Sequence, residues 1–263
     1  MPQDARKHLV IKANDLIQKS RFSLTLQQQK IVLYLISQIH PNDTDFKKYS
    51  FSIPEFCRVT GISRPSGEDY TAFKNDIKAI ADKSLWVTLE DGAETLLRWI
   101  AKPTIRKDSG TIEVQLDEDM KPFLLELKKN FTAYELIYTL HFRSKYSIRL
   151  YELVKSIHFH EIETYSRTYP LDELKRLLDA ETYEQYRDFR TRVLEPAIKE
   201  LNKYSDKNIE YRPIKRGRSV AQIELTISTK KTIERLRIRD QIEKDLGSTE
   251  ITLFDELTTK GMV

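Results

Sequence analysis

Apolar residues recur every three or four positions between residues 186 and 201, which predicts an amphipathic helix. The residues on this apolar face are Tyr186, Phe189, Val193, Ala197 and Leu201. The positions outside this face include Arg187, Thr191 and Arg192, whereas Arg190 lies at its edge. Because Pro196 has no N–H to donate to the carbonyl of Arg192 and restricts the residue before it, we predict a kink at this point.

A hairpin is predicted directly after this helix. Apolar residues alternate with polar ones along two runs. The alternating residues are Ile209 and Tyr211 in the first run, and Ile223, Leu225 and Ile227 in the second. The turn between the runs carries Lys215, Arg216 and Arg218 around Gly217. A helix with a basic outer face, followed by a hairpin with a basic tip, is typical of a winged helix that places its helix in the major groove and its tip against phosphates.

The charge distribution favours a polyanionic partner for this region. Residues 183–218 contain ten Lys or Arg against six Asp or Glu, an excess equal to the formal net charge of +4 of the whole chain. The rest of the chain is therefore neutral overall, and the basic character is concentrated in one helix and one turn. Taken alone, this region could also be a solvated amphipathic helix beside an ordinary hairpin.

An earlier part of the chain shows the same order of elements. The pattern predicts a helix over 24–39 with Thr25 and Gln28 as a capping box, a strand over 49–53 and a short helix over 54–59. A second helix over 69–83 and strands over 85–90, 95–105 and 111–116 follow. Helix, strand, helix, helix and strands is the order of a winged helix.

Three short sequence matches relate this first unit to the second. Ile148–Tyr151 matches Ile31–Tyr34 at an offset of 117, and Leu171–Leu174 matches Ile53–Phe56 at an offset of 118. A third match, at an offset of 116, relates Tyr186, Phe189 and Val193 to Tyr70, Phe73 and Ile77. Nearly constant offsets predict two copies of one unit. We therefore expect an α+β fold of two tandem winged-helix domains related by an internal repeat, over residues 1–130 and 131–245, with a flexible tail over 246–263.

The two copies differ in the charge on their second helix. In the first copy Lys74, Lys78 and Lys83 are interspersed with Asp76 and Asp82, whereas the second copy has three arginines within six residues. The second copy is thus the predicted main DNA-binding unit. Lys74 and Lys78 are predicted to contact phosphates more weakly, and the first copy is the alternative candidate for a subunit interface.

Composition excludes several other classes of protein. The single cysteine, Cys57, allows neither an internal disulfide nor a zinc finger among the 263 residues. There is no apolar run near 18 residues and no signal-peptide pattern, so we expect a cytoplasmic protein without membrane contact. With seven glycines and neither a phosphate-binding loop nor a dinucleotide fingerprint, we expect no cofactor, no metal and no enzymatic activity.

Several blocks together resemble the Rep initiator proteins of theta-replicating, iteron-containing bacterial plasmids. They are Ala13–Ile17, Leu24–Leu26, Ser144–Leu153, Phe189–Asn202 and Lys215–Arg218, and they occur in the family's order. The resemblance implies that the protein binds repeated double-stranded origin DNA, recruits the host initiator and helicase, and represses its own promoter. It also implies a homodimer in equilibrium with a monomer, with the dimer interface on the first domain. By this resemblance, Arg187, Arg190, Thr191 and Arg192 fall on the recognition helix, and Lys215, Arg216 and Arg218 on the wing.

Two alternative functions share parts of this pattern. His158-Phe159-His160 with Tyr165 or Tyr169 resembles the metal-binding triplet and nucleophile of rolling-circle nickases. The triplet ends a helical pattern, however, and residues two apart on a helix point about 200° from each other. A winged-helix transcriptional repressor would share every DNA-binding residue with an initiator.

The tail contains a candidate partner-binding motif. Glu250–Phe254 resembles the short peptides by which bacterial replication proteins bind the sliding clamp, with Leu253 and Phe254 as the anchoring side chains. Glu250 replaces the glutamine that usually leads such peptides. The alternative is a tail that folds back and packs these side chains on the second domain.

Overall fold

The computed structural model describes residues 5–40, 42–60, 67–89, 91–106, 110–125, 127, 129–157 and 163–246. The helices of the N-terminal half are α1 Asn14–Gln18, α2 Leu26–Ser37, α3 Ile53–Thr60, α4 Gly67–Asp82 and α5 Lys121–Leu124. Its strands are β1 Leu9–Ala13, β2 Ser20–Arg21, β3 Tyr49–Ser52, β4 Ser84–Thr88, β5 Glu94–Arg98, β6 Ile100–Arg106 and β7 Thr111–Leu116. Short 3-10 turns lie at Ala5–Lys7 and Glu118–Met120.

The C-terminal half begins with strand β8 Phe131–Glu135 and helices α6 Ile137–Leu140 and α7 Lys145–Ser156. It continues with β9 Thr164–Pro170, α8 Leu171–Leu177, α9 Tyr186–Phe189, a π-helical segment Arg190–Leu194 and α10 Glu195–Tyr204. The hairpin β10 Lys207–Arg216 and β11 Ser219–Thr229 and the helix α11 Thr232–Leu246 complete it.

The internal repeat is visible in the strand order. In the first half β7 lies between β3 and β6, and in the second half β11 lies between β9 and β10, with every pair antiparallel. In each copy the first strand precedes a short helix, and the other two strands follow the long helix and form a hairpin. Two winged-helix units in an α+β fold, as predicted from the repeat, are therefore confirmed.

The first long helix of the repeat begins where its sequence predicts. The Thr25 hydroxyl accepts a hydrogen bond from the Gln28 backbone N–H at 3.2 Å, and the Gln28 side chain accepts one from the Thr25 N–H at 3.2 Å. This capping box satisfies donors that the first turn of a helix leaves unpaired. Ten consecutive residues from Gln28 to Ser37 are buried, so α2 is enclosed on all sides and not only along one stripe.

One predicted strand is two strands. The run 95–105 divides at Trp99: β5 pairs with β4, which also pairs with β2, whereas β6 pairs with β7 in another sheet. Trp99 and Ile100 are both buried, which breaks the alternation that a single half-buried strand would show. Lys102 has a positive φ of 38° at a register shift, so β6 is bent as well.

The predicted boundary near Asn130 separates residues that the sheet joins. β8 pairs along its whole length with β1, from Leu9 opposite Glu135 to Ala13 opposite Phe131. The Asn14 N–H also donates to the Asn130 carbonyl at 2.7 Å. The N-terminal strand is thus fixed to the first strand of the second half. The division at 130 stays a prediction.

A buried ionic cluster joins the two halves. Glu152 of α7 lies 2.6 Å from Lys12 Nζ of β1 and accepts a hydrogen bond of 2.6 Å from the Tyr134 hydroxyl of β8. Arg149, one turn earlier, donates to the Leu177 carbonyl at the end of α8 at 3.0 Å. Its guanidinium lies 4.3 Å from the Phe22 ring centroid. Burial lowers the pKa of Lys12, and the Glu152 carboxylate opposes this shift.

We predict that Lys12→Met lowers the free energy of unfolding by about 3–5 kcal/mol, because it takes the closest cation from the buried Glu152 carboxylate and leaves it only Arg149 at 3.9 Å. Lys12→Met combined with Glu152→Met should recover part of this loss, because the carboxylate is then removed while buried Arg149 keeps its bond to the Leu177 carbonyl. Urea unfolding followed by circular dichroism measures both changes.

The matched control is Lys19→Met, which removes an exposed ion pair with Asp15 at 3.0 Å. Its expected cost is below about 0.5 kcal/mol. Equal losses for Lys12→Met and Lys19→Met would contradict the role assigned to the buried cluster.

Candidate nucleic-acid interface

The helical segment from Tyr186 to Tyr204 presents its apolar face to the core of the second unit. Phe189, Val193, Ala197 and Leu201 are fully buried, as their spacing predicts. Helix α10 packs on α7 and on β10, so the long helix is fixed between the centre of the domain and the wing. Its opposite face is left to solvent.

The helix is not α-helical throughout. Over Arg190–Leu194 it is a π helix, and the Glu195 N–H bonds to the Arg190 carbonyl five residues back. Pro196 has no N–H for the Arg192 carbonyl, and its ring would crowd that oxygen in a regular α-helix. The wider π turn accommodates the proline, and it lies N-terminal to the position where the sequence predicts a kink.

Three of the four predicted recognition residues are exposed. Arg187 and Arg192 have no ion-pair partner among the described residues, and both side chains are open to solvent. The Thr191 hydroxyl donates to the Arg187 carbonyl at 2.9 Å, so its hydrogen is used within the helix. Two guanidinium groups thus remain available on this surface for a planar pair of acceptors such as a guanine edge.

Arg190 behaves differently. Its Nε lies 3.6 Å from Glu195 Oε1, and both side chains are a little under half exposed. The same Glu195 oxygen accepts a hydrogen bond of 2.8 Å from the Tyr211 hydroxyl of β10. Helical spacing puts Arg190 at the edge of the apolar face, and the structure places it beside an acid that also bonds the wing.

The base of the wing is fixed to the end of the helix. The Asn202 side chain accepts from the Ile209 N–H at 2.7 Å and donates to the Ile209 carbonyl at 2.9 Å. Buried Lys230, directly after β11, donates to the Ser205 carbonyl at 3.0 Å. Helix and hairpin therefore keep one relative position, which a surface that contacts two grooves or strands of a duplex requires.

The wing tip is basic and exposed. Gly217 is flanked by Lys215, Arg216 and Arg218. None of these three cations forms an ion pair with another described residue. Gly217 has a φ of +64° in a two-residue turn between Arg216 and Ser219, a conformation that a side chain would strain. Below the tip, Arg212 NH2 pairs with Glu224 at 2.8 Å and braces the two strands.

The first unit offers a less basic helix. Lys74 and Lys78 are exposed on α4, but Lys78 pairs with Asp82 one turn later. Asp76 accepts a hydrogen bond of 2.8 Å from Gln28 of α2. Lys78 is thus partly neutralised within the unit, and the phosphate contacts of Lys74 and Lys78 stay a prediction.

Two further lysines extend the basic surface of the second unit. Lys199 and Lys203 are exposed on α10 and follow Arg192 at helical spacing. Both belong to the excess of basic residues over 183–218 but are not among the predicted contact residues. The signal that identifies them is their spacing of four, which places both on one side of the helix.

The residues of the nickase alternative are only partly described. His158 and His160 lie outside the described residues. The Tyr165 hydroxyl donates to the Val154 carbonyl at 2.8 Å, and burial raises its pKa. Burial also raises the pKa of Tyr169 to about 12. A tyrosine that attacks a phosphate needs an exposed, easily deprotonated hydroxyl, so neither tyrosine is arranged as a nucleophile.

Three further observations concern metal-binding groups, helix length and the tail. Across the part of the chain that the structure describes, no three His, Cys, Asp or Glu side chains converge into a group that could hold a metal ion. Among the described helices, none is long and apolar enough to cross a bilayer. Leu253 and Phe254 of the predicted clamp-binding motif lie outside the described residues.

A solved structure shares this architecture. The Pi initiator protein, solved in complex with iteron DNA, superposes with a TM-score of 0.70 and 17% identity over 86% of this chain and 99% of that one. Domains 2 and 3 of RctB give a TM-score of 0.45 with 15% identity over 80% of this chain and 85% of that one.

Sequence comparisons identify the family. A curated replication initiation protein of Escherichia coli is 29% identical over 229 residues, which cover 82% of this chain and 70% of that protein. The family model for the first winged helix of initiator replication proteins matches residues 9–155. The model for their second winged helix matches residues 170–227. The first model alone matches more than half of the chain, and the second model follows it in order. This chain therefore belongs to the family of plasmid Rep initiator proteins.

Proposed function

We propose that this protein initiates plasmid replication by binding repeated origin sites, the iterons, through its second winged helix. The observation that carries the proposal is the surface formed by Arg187 and Arg192 on the helix and by Lys215, Arg216 and Arg218 on the wing. These five cations are exposed and form no ion pair among the described residues. Family membership and the fold shared with an initiator that binds iteron DNA support the same function.

The helix and the wing would have different tasks. Arg187 and Arg192 would pair with guanine edges in the major groove, where a guanidinium fork matches two acceptors. Thr191 would contribute its methyl group or accept a bond, since its hydrogen is used on the backbone. Arg190 would need to leave Glu195 before it could reach a base. The wing cations, with Lys74 and Lys78 of the first unit, would contact phosphates and fix the register.

The first unit would form the dimer of the protein. Trp86 and Leu96 are directly opposite each other on β4 and β5 and are 47% and 51% exposed. Among the described strands, β5 has a partner on one side only, so its other edge is open to a strand of a second copy. An exposed apolar pair beside a free strand edge is typical of a protein–protein contact. We propose that the dimer represses the protein's own promoter and that the monomer binds iterons.

Recruitment of host proteins completes the proposal. The host initiator and helicase would assemble on the origin that the bound protein marks. The sliding clamp would bind the tail through Leu253 and Phe254, which follow the described residues. A protein of this fold that acted only as a repressor would bind the same DNA without supporting replication, and a nickase would cut it.

A replication assay distinguishes these functions. The origin DNA that flanks the gene is placed on a plasmid with no other origin, and the protein is supplied from a second plasmid. We expect stable transformants with the wild-type protein and none with Arg192→Ala combined with Arg216→Ala. Failure of the wild-type protein, despite tight binding to the repeats, would indicate a repressor. A covalent protein–DNA adduct formed with magnesium or manganese would indicate a nickase.

Sequence specificity should depend on the helix and not on the wing. We predict that Arg187→Ala or Arg192→Ala lowers discrimination between the origin repeat and a scrambled repeat by about 1–3 kcal/mol. Arg216→Ala should weaken binding to both DNAs equally and reduce the slope of log K against log salt by about one. Fluorescence anisotropy titrations at several salt concentrations measure both quantities.

The control for these variants is Arg237→Ala, an exposed arginine on α11 that lies outside both matched family domains. It should leave affinity and discrimination unchanged. If Arg187→Ala and Arg192→Ala both keep the wild-type ratio between the two DNAs, the second unit does not provide the specificity.

Self-association should depend on the exposed hairpin of the first unit. We expect Trp86→Ser or Leu96→Ser to raise the dimer dissociation constant at least tenfold, because each removes apolar area from the proposed contact. Sedimentation equilibrium measures this constant. Ile233→Ser removes a side chain that is 67% exposed on α11 and is the matched control. A dimer that is unaffected by both hairpin variants would place the interface elsewhere.

A further inference from the structure

An apolar groove lies where the N-terminal strand β1 pairs with β8. It has a volume of about 170 Å³ and lies between the β1–β8 sheet, the C-terminal end of α2 and the segment after α5. Its lining side chains include Leu9, Ile11, Ile39, Leu124 and Phe131. This volume is below the range of about 300–1,000 Å³ typical of small-molecule sites, so it suits one or two anchoring side chains of a peptide.

The groove is open because one face of the β1–β8 sheet is incompletely covered. Residues opposite each other in an antiparallel pair share a face, which places Leu9, Ile11 and Phe131 together on this one. Leu9 is 46% and Phe131 48% exposed. Exposed large apolar side chains that are contiguous, and not scattered singly, mark a surface that binds another apolar segment.

Helix α11 directs the chain towards this face. Arg239 pairs at 3.3 Å with Glu135, which is opposite Leu9 on the same face of the sheet. One turn later, Glu243 pairs with Lys7 at 3.5 Å. The Leu246 carbonyl then accepts a bond of 3.3 Å from buried Arg6. The last described turn of the chain is therefore bonded to Arg6, which precedes Leu9 of the groove by three residues.

The sequence after Leu246 contains a short apolar segment within reach. Residues 247–250 are Gly-Ser-Thr-Glu, and Ile251, Leu253 and Phe254 follow. Five steps of extended chain from Leu246 to Ile251 span at most about 17 Å, whereas three steps from Arg6 to Leu9 span about 10 Å. The polar residues are thus long enough to bring the apolar segment to the groove and too short to bring it far beyond.

We propose that the segment Ile251–Phe254 docks in this groove of its own chain. Tethering at Leu246 gives the segment an effective concentration of the order of millimolar, which favours it over the same segment of a second copy. Leu253 and Phe254 would fill the groove beside Leu9 and Phe131. The docked segment would connect the last helix of the second unit to the first strand of the chain and extend the fixation that Arg6 and Glu135 provide.

Docking would also control access to the tail. Leu253 and Phe254 are the same two side chains that the clamp-binding motif uses as anchors. A partner with a pocket for these side chains would have to displace them from the groove. The groove and such a partner would therefore compete for one segment, and the affinity for the partner would be lower by the docked fraction.

Disulfide trapping in the full-length protein tests this proposal. His40→Cys, at the exposed rim of the groove, is combined with Thr252→Cys, so that every apolar side chain of groove and segment is kept. We expect intrachain cross-linking at least tenfold faster than for Asp91→Cys with Thr252→Cys, in which the first cysteine lies on an exposed turn of the first unit. The natural thiol of Cys57 is buried and is left in place.

Further variants make the outcome specific. Adding Leu253→Ser and Phe254→Ser should reduce the rate of the His40→Cys pair to that of the Asp91→Cys pair. The chain with a cysteine at 252 only should give no intrachain product. Equal rates for the two pairs, a rate unaffected by the two serine substitutions, or exclusively interchain cross-linking would overturn the proposal, the last by assigning the groove to a second copy.

Discussion

The buried carboxylate of Glu152 is the constraint on which the arrangement of the two units depends. It pairs with Lys12 on β1 and accepts the Tyr134 hydroxyl on β8, while Arg149 on the same helix bonds the end of α8. A charge in this position is costly unless all of these partners are present. Displacement of β1 from α7 would remove the closest cation from buried Glu152 and leave it only Arg149, 3.9 Å away on the same helix, so the cluster favours one arrangement of the N-terminal strand on the second unit. Replacement of such clusters by apolar groups is often neutral for stability, so the cluster is not by itself evidence of a gain in stability.

The helix that we propose to contact DNA packs on this helix α7, and it departs from regular α-helical geometry over the residues proposed to contact bases. Pro196 and Thr191 both disfavour an uninterrupted α-helix, and the π turn over Arg190–Leu194 accommodates them. The turn has a consequence for charge. Residues five apart do not face each other on an α-helix, but a π turn brings Arg190 beside Glu195. The backbone irregularity thus determines which arginine is paired and which two are free.

Features that depend on neighbouring residues were predictable from the sequence, whereas features that depend on residues far apart in the sequence were not. The capping box of α2, the apolar face from Tyr186 to Leu201 and the basic turn at Gly217 are local patterns, and each lies where the sequence predicts it. Strands β1 and β8 were not predicted, because they are five residues long and pair across about 120 positions. A lysine is polar in any hydropathy pattern, so the sequence predicts an exposed Lys12. Its burial depends on Glu152, which is far away in the sequence. The division of 95–105 depends on tertiary contacts of Trp99 for the same reason. The candidate recognition residues follow from helical spacing, whereas the pairing of Arg190 depends on the π turn.

The two copies of the winged helix have diverged most in the segment after the long helix. In the second copy β10 begins three residues after α10, and the hairpin that follows is the basic wing. In the first copy the hairpin β4–β5 is inserted before the equivalent strand β6, and it pairs with β2 in a sheet of its own. This insertion carries exposed Trp86 and Leu96, so the first copy has apolar surface that the wing of the second copy lacks. The first copy also has less free charge, because Lys78 is paired with Asp82. One fold therefore presents an apolar strand edge suited to self-association in the first copy and a cationic surface suited to phosphates and bases in the second copy. The Glu152 cluster keeps the N-terminal strand β1 attached to helix α7 of the second copy.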